Sequence, residues 1–383
     1  MTVRVGINGF GRIGRNFLRA SLARGHGSGD PGTGAGAGRQ EAVEVVAVND
    51  IVPAATAAHL LRYDSTHGTL GVDVHQRGDT LEVGGSPIRV FSGQAPEDLP
   101  WGELGVDVVV ESTGRFTDGK KAAAHLDGGA QRVLVSAPGT DVDATFVVGV
   151  NDHTYDPARH RVVSMASCTT NCFVPMVKVL DDAFGVEKGL MTTVHAFTND
   201  QNLLDLAHKD LRRARAAAVN IVPSSTGAAR ATSLVLASMA GRLDGSSLRV
   251  PVVDGSITDF TAILAREVTV AEVNEAFAAA AASGPLSRVL VYTEDPIVSS
   301  DVVGSPASCT FDSLLTMAMG SMVKVFGWYD NEWGYSNRLV DMALVLATAA
   351  AATPSGAGSA QAPASGPDTA GEPGASGRSG GEG

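Results

Sequence analysis

The chain has 383 residues, 44% of them hydrophobic and only 18% charged, enough to bury a sizeable core in two domains. A formal net charge of −12 excludes the basic footprint of a nucleic-acid-binding protein, and no polybasic or amphipathic segment points to a membrane surface. Three cysteines, Cys168, Cys172 and Cys309, are too few for a disulfide framework and lack zinc-site spacing, so no metal site is expected and a reduced cytoplasmic setting fits best.

The first strand-like run is Val3 to Ile7, with no signal-peptide pattern ahead of it. Gly9, Phe10, Gly11, Arg12, Ile13 and Gly14 follow with G-x-G-x-x-G spacing, leading into a helix pattern that carries Phe17 and Leu18. The first glycine permits a tight turn, the second lets backbone approach a pyrophosphate, and the third lets helix lie close to strand. Gly25 to Gln40 is rich in glycine and poor in apolar residues, so a surface insertion is expected there. The next β-branched run, Val43 to Val48, ends in Asn49 and Asp50. An acid at that point bonds the adenine-side ribose hydroxyls and repels a 2′-phosphate, which favours NAD over NADP. The insertion explains why Asp50 lies further from the glycines than the usual ~20 residues. Val106 to Val110, Arg132 to Val135 and Phe146 to Val150 complete a set of strands alternating with helices, the pattern of βαβ units in a parallel sheet.

The apolar segment Arg161 to Ala166 leads into Ser167, Cys168, Thr169, Thr170, Asn171 and Cys172, and a helix pattern follows over Phe173 to Phe184. Cys168 is thus expected at a helix N-terminus, where free N–H groups favour a thiolate and an anionic ligand beside it. Strand-like runs at Gly189 to Phe197, Ser247 to Val253, Ser256 to Ala265, Arg288 to Thr293 and Ser321 to Trp328 have fewer helices between them, as in a mixed or antiparallel sheet. A second, α+β catalytic domain therefore begins near Cys168. His195, at the end of a strand-like run, is the best base for the thiol among nine histidines. Arg212, Arg213 and Arg215, the Ser224 to Gly227 turn with Arg230, and Arg249 are candidate anion binders. Thr269 to Glu272 has capping-box spacing, and Ser336 precedes an apolar helix pattern through Leu339, Val340, Ala343 and Leu344. From Thr353 to Gly383 there is no large apolar side chain, and a disordered tail is expected.

These residues together resemble the phosphorylating glyceraldehyde-3-phosphate dehydrogenases. The resemblance rests on Asn8 to Arg15, Ser167 to Cys172, His195 with Thr198 to Asp200, His208 to Arg215, Pro223 to Ala229, Arg249 to Pro251 and Trp328 to Tyr335, in order along the chain. It implies a Rossmann domain over residues 1–166, with a last helix, 336–351, packing back on it, and a catalytic domain over 167–335. It implies that Cys168 attacks the aldehyde of glyceraldehyde 3-phosphate, with His195 as base, and that inorganic phosphate resolves the thioester to an acyl phosphate. Thr198 and Arg249 resemble the site for the substrate's phosphate. Ser167, Thr169, Arg213, Thr226 and Gly227 resemble the site for the attacking phosphate. On the cofactor side the resemblance assigns Gly9, Gly11, Arg12, Ile13 and Gly14 to the pyrophosphate, Asp50 to the ribose, Ser136 to the adenosine side, Asn331 to the nicotinamide carboxamide and Tyr335 to the ring's face. It also implies a cytoplasmic homotetramer.

Two departures stand at the cofactor pocket, where Ala207 replaces the usual proline before His208 and Gln94 the usual arginine. An erythrose-4-phosphate dehydrogenase, in which water resolves the thioester, is the nearest alternative. A catalytically silent binding relative is the other, and it would require damage at Cys168, His195, Arg213 or Arg249, all of which are present.

Overall fold

The computed structural model describes residues 2–25 and 42–352, within a compact unit that ends at Ala352. Beyond Gly25, the expected glycine-rich insertion lies outside the described residues, as does the expected tail, 353–383.

The β-branched runs of the first half form a nine-stranded sheet. Its order is Ala144–Thr145, Val162–Ser164, Arg132–Val135, Val108–Glu111, Thr2–Asn8, Ala42–Asn49, Ser86–Phe91, Thr80–Val83 and Val74–Arg77. All pairings are parallel except the last two. From Thr2–Asn8 the chain goes first to Ala42–Asn49 on one side and later to Val108–Glu111 on the other. Strand order reverses there, and the crevice at the C-terminal strand ends is where this architecture binds ligands.

One predicted strand is overturned. Phe146 to Val150 is buried but not extended: Val150 N–H donates to Val147 O at 3.0 Å, and Gly149 has φ 85°. The Asn151 side chain accepts from Val147 N–H at 2.8 Å and donates to Thr145 O at 2.9 Å, folding the apolar run into a turn.

The second sheet runs Val222–Ser225, Leu243–Val250, Val186–Ala196, Ser256–Leu264, Met322–Tyr329, Cys309–Asp312 and Leu290–Thr293, with Met317–Met319 also on Met322–Tyr329. It is mixed: Val186–Ala196 is parallel to Leu243–Val250 and antiparallel to Ser256–Leu264. The predicted strand over Ser247 to Val253 begins earlier and stops at Val250. Pro251 has no N–H for the ladder, and Val252 N–H turns back to Val250 O at 2.7 Å. Helices Cys168–Phe184 and Val270–Ala282 cover one face. Phe173 meets Phe260 edge-on at 4.8 Å between centroids, and Phe277 stacks on Phe311 at 3.7 Å. The Thr269–Glu272 capping box is present with both reciprocal bonds.

The last helix, Trp333–Ala352, starts one turn before the predicted Ser336. Asp330 caps it, accepting from Glu332 N–H at 2.9 Å and Trp333 N–H at 2.6 Å. It lies against helix Arg12–Gly25 of the first sheet, where Arg24 bonds Asp341 at 2.5 Å and the Asn337 side chain at 3.0 Å.

Candidate active site

Cys168 is the first residue of its helix. Ser167 is the cap, its hydroxyl accepting from Thr170 N–H at 3.1 Å. Between strand Val162–Ser164 and this helix the backbone turns through Ala166 at φ 52°, a left-handed conformation that costs a non-glycine residue about 1–3 kcal/mol. Two side chains hold it: Ser164 Oγ accepts from Ala166 N–H at 2.9 Å, and the Tyr335 hydroxyl donates to Ala166 O at 3.0 Å.

His195 is next to last in strand Val186–Ala196, and its Nε2 lies 3.4 Å from Cys168 Sγ. Its Nδ1 lies 2.6 Å from Ala196 O and 2.8 Å from Arg249 Nη1. As an N–H, Nδ1 donates to Ala196 O and leaves Nε2 free to accept the thiol proton. As a lone pair it accepts from Arg249, and Nε2–H then donates to a thiolate. The pair can therefore hold a proton on either side with the same heavy-atom positions.

Burial pushes the Cys168 thiol up to about 11, against Arg249 and the Thr169 N–H and hydroxyl, which favour the thiolate. Burial also pushes the His195 imidazole down to about 3, and Arg249's charge acts in the same direction. Both shifts favour thiol and neutral imidazole over the ion pair in the unliganded site. Desolvation thus outweighs the helix N-terminus expected to favour a thiolate.

Around this pair the structure gathers several of the predicted anion binders. Arg249, on strand Leu243–Val250 beside His195, reaches Thr198 Oγ1 at 3.3 Å. Arg213 bonds Ser224 Oγ at 2.9 Å and Ser225 O at 3.4 Å, next to Thr226 and Gly227. Thr226 Oγ1 accepts from Ala228 N–H at 3.2 Å, and nothing stands within 4 Å of where a side chain at Gly227 would begin. Thr169 is turned inward, its hydroxyl 2.8 Å from the Tyr329 phenol. Asp200, which received no role from the sequence, joins the two arginine sites. It accepts from Thr198 Oγ1 and from Arg213 Nη1. Burial raises its carboxyl, but Thr198, Arg249 and Arg213 outweigh that and hold it below its ordinary value.

At the first sheet's switch point the backbone fits a dinucleotide. Gly9 has φ 92°, and a Cβ there would stand 2.5 Å from Thr113 N; a Cβ on Gly14 would stand 2.2 Å from Gly9 O. At Gly11 a Cβ would meet nothing within 4 Å, leaving open space above the loop. Helix Arg12–Gly25 starts there, so its first N–H groups, Arg12 and Ile13 among them, make an N-terminus of the kind that favours an anion. The Arg12 guanidinium is directed elsewhere, bonding both Asp64 oxygens at 2.9 and 3.2 Å and also Glu332. Asp50 accepts from Phe10 N–H at 2.7 Å, so it braces the glycine loop. Ser136 follows strand Arg132–Val135, its N–H donating to Glu111 O at 2.9 Å.

Asn331 is held from the second sheet. Ser256 Oγ accepts from Ala196 N–H at 3.1 Å and donates to Asn331 Oδ1 at 2.7 Å, so the residue beside His195 fixes the Asn331 amide. Sequence reading missed Ser256 and Tyr329. Their only local signal is position: Ser256 opens its strand, and Tyr329 closes the strand that pairs with it in register.

A glycine-rich loop at the switch point of a parallel sheet, tied by Arg12 to Glu332 beside Asn331, together with a half-buried thiol against a buried imidazole, defines a dinucleotide-dependent oxidoreductase. The family model for the glyceraldehyde 3-phosphate dehydrogenase NAD binding domain matches residues 3–119, and that for the C-terminal domain of the same family matches residues 167–331. Glyceraldehyde-3-phosphate dehydrogenase 2 of Streptomyces avermitilis is 59% identical over 347 residues, covering 90% of this chain and 99% of the relative. Glyceraldehyde-3-phosphate dehydrogenase of Streptomyces coelicolor is 59% identical over 347 residues, and that of Mycobacterium bovis 57% identical over 348, with the same coverage. The chain belongs to the glyceraldehyde-3-phosphate dehydrogenase family.

Proposed function

We propose that Cys168 and His195 carry out the reaction of this family in this chain: NAD-dependent oxidation of D-glyceraldehyde 3-phosphate, with inorganic phosphate, to 1,3-bisphosphoglycerate. The observation that carries the assignment of roles is the 3.4 Å contact between Cys168 Sγ and His195 Nε2, flanked by Arg249 and Arg213. His195 Nε2 takes the thiol proton as sulfur adds to the aldehyde carbon, giving a hemithioacetal on Cys168. An anion beside Arg249 offsets the charge that, after burial, holds His195 down, and so helps His195 take the proton. The Cys168 N–H and the imidazolium of His195 stabilise the oxyanion; the imidazolium returns its proton to that oxygen to give the hemithioacetal hydroxyl, and the now neutral His195 removes the hydroxyl proton as the thioester forms. NAD, when bound, accepts the hydride. Phosphate held by Arg213, Thr226, Gly227, Ser167 and Thr169 then displaces the Cys168 thiolate, while Thr198 and Arg249 keep the substrate's own phosphate in place.

The cofactor-binding roles follow the same reading. The amides at Gly11, Arg12 and Ile13 meet the pyrophosphate, with Gly9 and Gly14 shaping the loop. Asp50 bonds the ribose, Ser136 lies on the adenosine side, Asn331 bonds the carboxamide and Tyr335 supports the ring. Residues 1–166 with helix 336–351 form the NAD-binding domain, and 167–335 the catalytic domain. A cytoplasmic homotetramer is part of the proposal. It is supported by the loop after Asn199, where Leu203, Leu204, Leu206 and Leu211 are all exposed, a patch that self-association would bury.

The test is NAD reduction by purified protein with glyceraldehyde 3-phosphate, with and without phosphate or arsenate. Activity should require the anion and be silenced by iodoacetate at Cys168. Turnover without either anion would overturn the acyl-phosphate route.

A further inference from the structure

Away from the thiol, three donors from distant parts of the chain converge. His67 lies between the two-residue strands Tyr63–Asp64 and Gly68–Thr69, Asp254 just before strand Ser256–Leu264, and Asp330 just after strand Met322–Tyr329. Those longer strands pair with Ser256 opposite Tyr329, so the register itself places Asp254 and Asp330 at the same sheet end. One donor atom from each of the three lies within 4.8 Å of the others.

Two of these atoms are buried without hydrogen-bond partners. Asp254 Oδ2 and His67 Nε2 are 3.6 Å apart, on side chains 0% and 6% exposed. A buried polar atom left without a partner costs about 1–3 kcal/mol, so two facing one another call for a third party. Glu332 Oε2 stands 3.4 Å from His67 Nε2 and adds a fourth donor. Around the cluster, among the described residues, Asp64 and Glu332 pair with Arg12, while Asp254 and Glu332 face the His67 imidazole.

We propose that His67, Asp254 and Asp330, with Glu332 at the rim, form a site for a divalent cation of the manganese or zinc type. One imidazole among carboxylates is a donor set suited to such ions. The centre of a triangle with 4.8 Å sides is about 2.8 Å from each corner, so side-chain shifts under about 1 Å bring the donors to the roughly 2.0–2.2 Å of a metal bond. The ion would tie the His67 segment to the end of the second sheet, one residue from Asn331.

Manganese is the probe, because zinc would also be bound by the Cys168 sulfur. Full-length protein is stripped with a chelator, and Mn2+ is titrated while the resonance of free Mn2+ is followed. One ion should bind per chain and raise the thermal midpoint. Asp254→Asn and His67→Gln should each weaken binding by at least the roughly 10–100-fold that loss of a mere outer-shell partner costs. Asp254→Asn keeps shape and removes charge; if it folds poorly, His67→Gln alone decides. Failure of millimolar Mn2+ to bind, or equally tight binding in the variants, overturns the site and leaves a proton shared among these groups.

Discussion

Arg249 Nη1 lies 2.8 Å from His195 Nδ1, the ring nitrogen that does not face the thiol. The cation therefore acts on both members of the pair, disfavouring imidazolium and favouring thiolate. Without substrate, the rate of Cys168 alkylation by iodoacetamide should keep rising through neutral pH toward about 11, with no inflection from His195 near 6.5. Arg249→Leu should slow alkylation and raise the KM for glyceraldehyde 3-phosphate by about 10–100-fold, the loss of a charge-assisted hydrogen bond. A bell or plateau between pH 6 and 8 would show a resting thiolate–imidazolium pair instead.

His195 also contributes to acid stability. Its folded value, about 3, lies below the unfolded value of 6.5, so between these the unfolded chain binds the extra proton. The stability it contributes is present above pH 6.5 and is lost as pH falls toward 3. His195→Asn should flatten the decline of the unfolding free energy, measured by urea titration, over that window by up to about 1.4 kcal/mol per pH unit. An unchanged acid limb would mean that the ring titrates normally in the fold.

Arg213 and Asp200 form a 2.5 Å ion pair beside Ser224 and Ser225, and Arg249, not Arg213, is the cation that acts on the Cys168 thiol. Arg213→Leu should therefore raise the KM for phosphate by about 10–100-fold while leaving alkylation of Cys168 nearly untouched. Asp200→Asn keeps the shape but removes the charge holding Arg213, and should shift the same constant by less. Steady-state kinetics at varied phosphate separate the two. Equal losses for phosphate and aldehyde would move Arg213 to a shared role.

Much of this frame was readable because its signals are local. Cys168 and His195 each stand at the end of an apolar run, and Thr269 and Glu272 are three residues apart. The strands Val74–Arg77 and Thr80–Val83 were missed because His75, Gln76, Arg77 and Glu82 face outward, leaving too few apolar residues to mark a pattern. Phe146 to Val150 misled for the opposite reason: it is apolar enough for a strand, but the Asn151 side chain supplies the bonds that bend it. Ser256, Tyr329 and the His67–Asp254–Asp330 cluster depend on strand register, which no short stretch of chain encodes.

Asp50 accepts from Phe10 N–H at 2.7 Å and from Val52 N–H at 3.2 Å, so it serves the loop as well as any ribose. Replacing it by alanine should raise the relative use of NADP by removing repulsion of a 2′-phosphate, and should also loosen NAD through the unbraced glycine turn. Initial rates with both cofactors check this; an unchanged NAD to NADP ratio would place the ribose elsewhere.

Gly11 and Gly14 separate loop packing from ligand approach. At Gly14 an added Cβ would stand 2.2 Å from Gly9 O and 3.0 Å from Ile7, both held by strand and turn. The roughly 1 kcal/mol that alanine gains over glycine in a helix is outweighed by the ~1–3 kcal/mol or more of overpacking. Gly14→Ala should therefore lower the urea midpoint even without cofactor. At Gly11 nothing stands within 4 Å, so Gly11→Ala should leave stability within about 0.5 kcal/mol of the parent. Its methyl enters the space that the pyrophosphate needs beside the Arg12 and Ile13 amides, so NAD affinity should fall by about tenfold or more, or ~1.4 kcal/mol. Fluorescence titration with NAD measures it. Normal affinity in a stable Gly11→Ala protein would show that the pyrophosphate does not cross this loop.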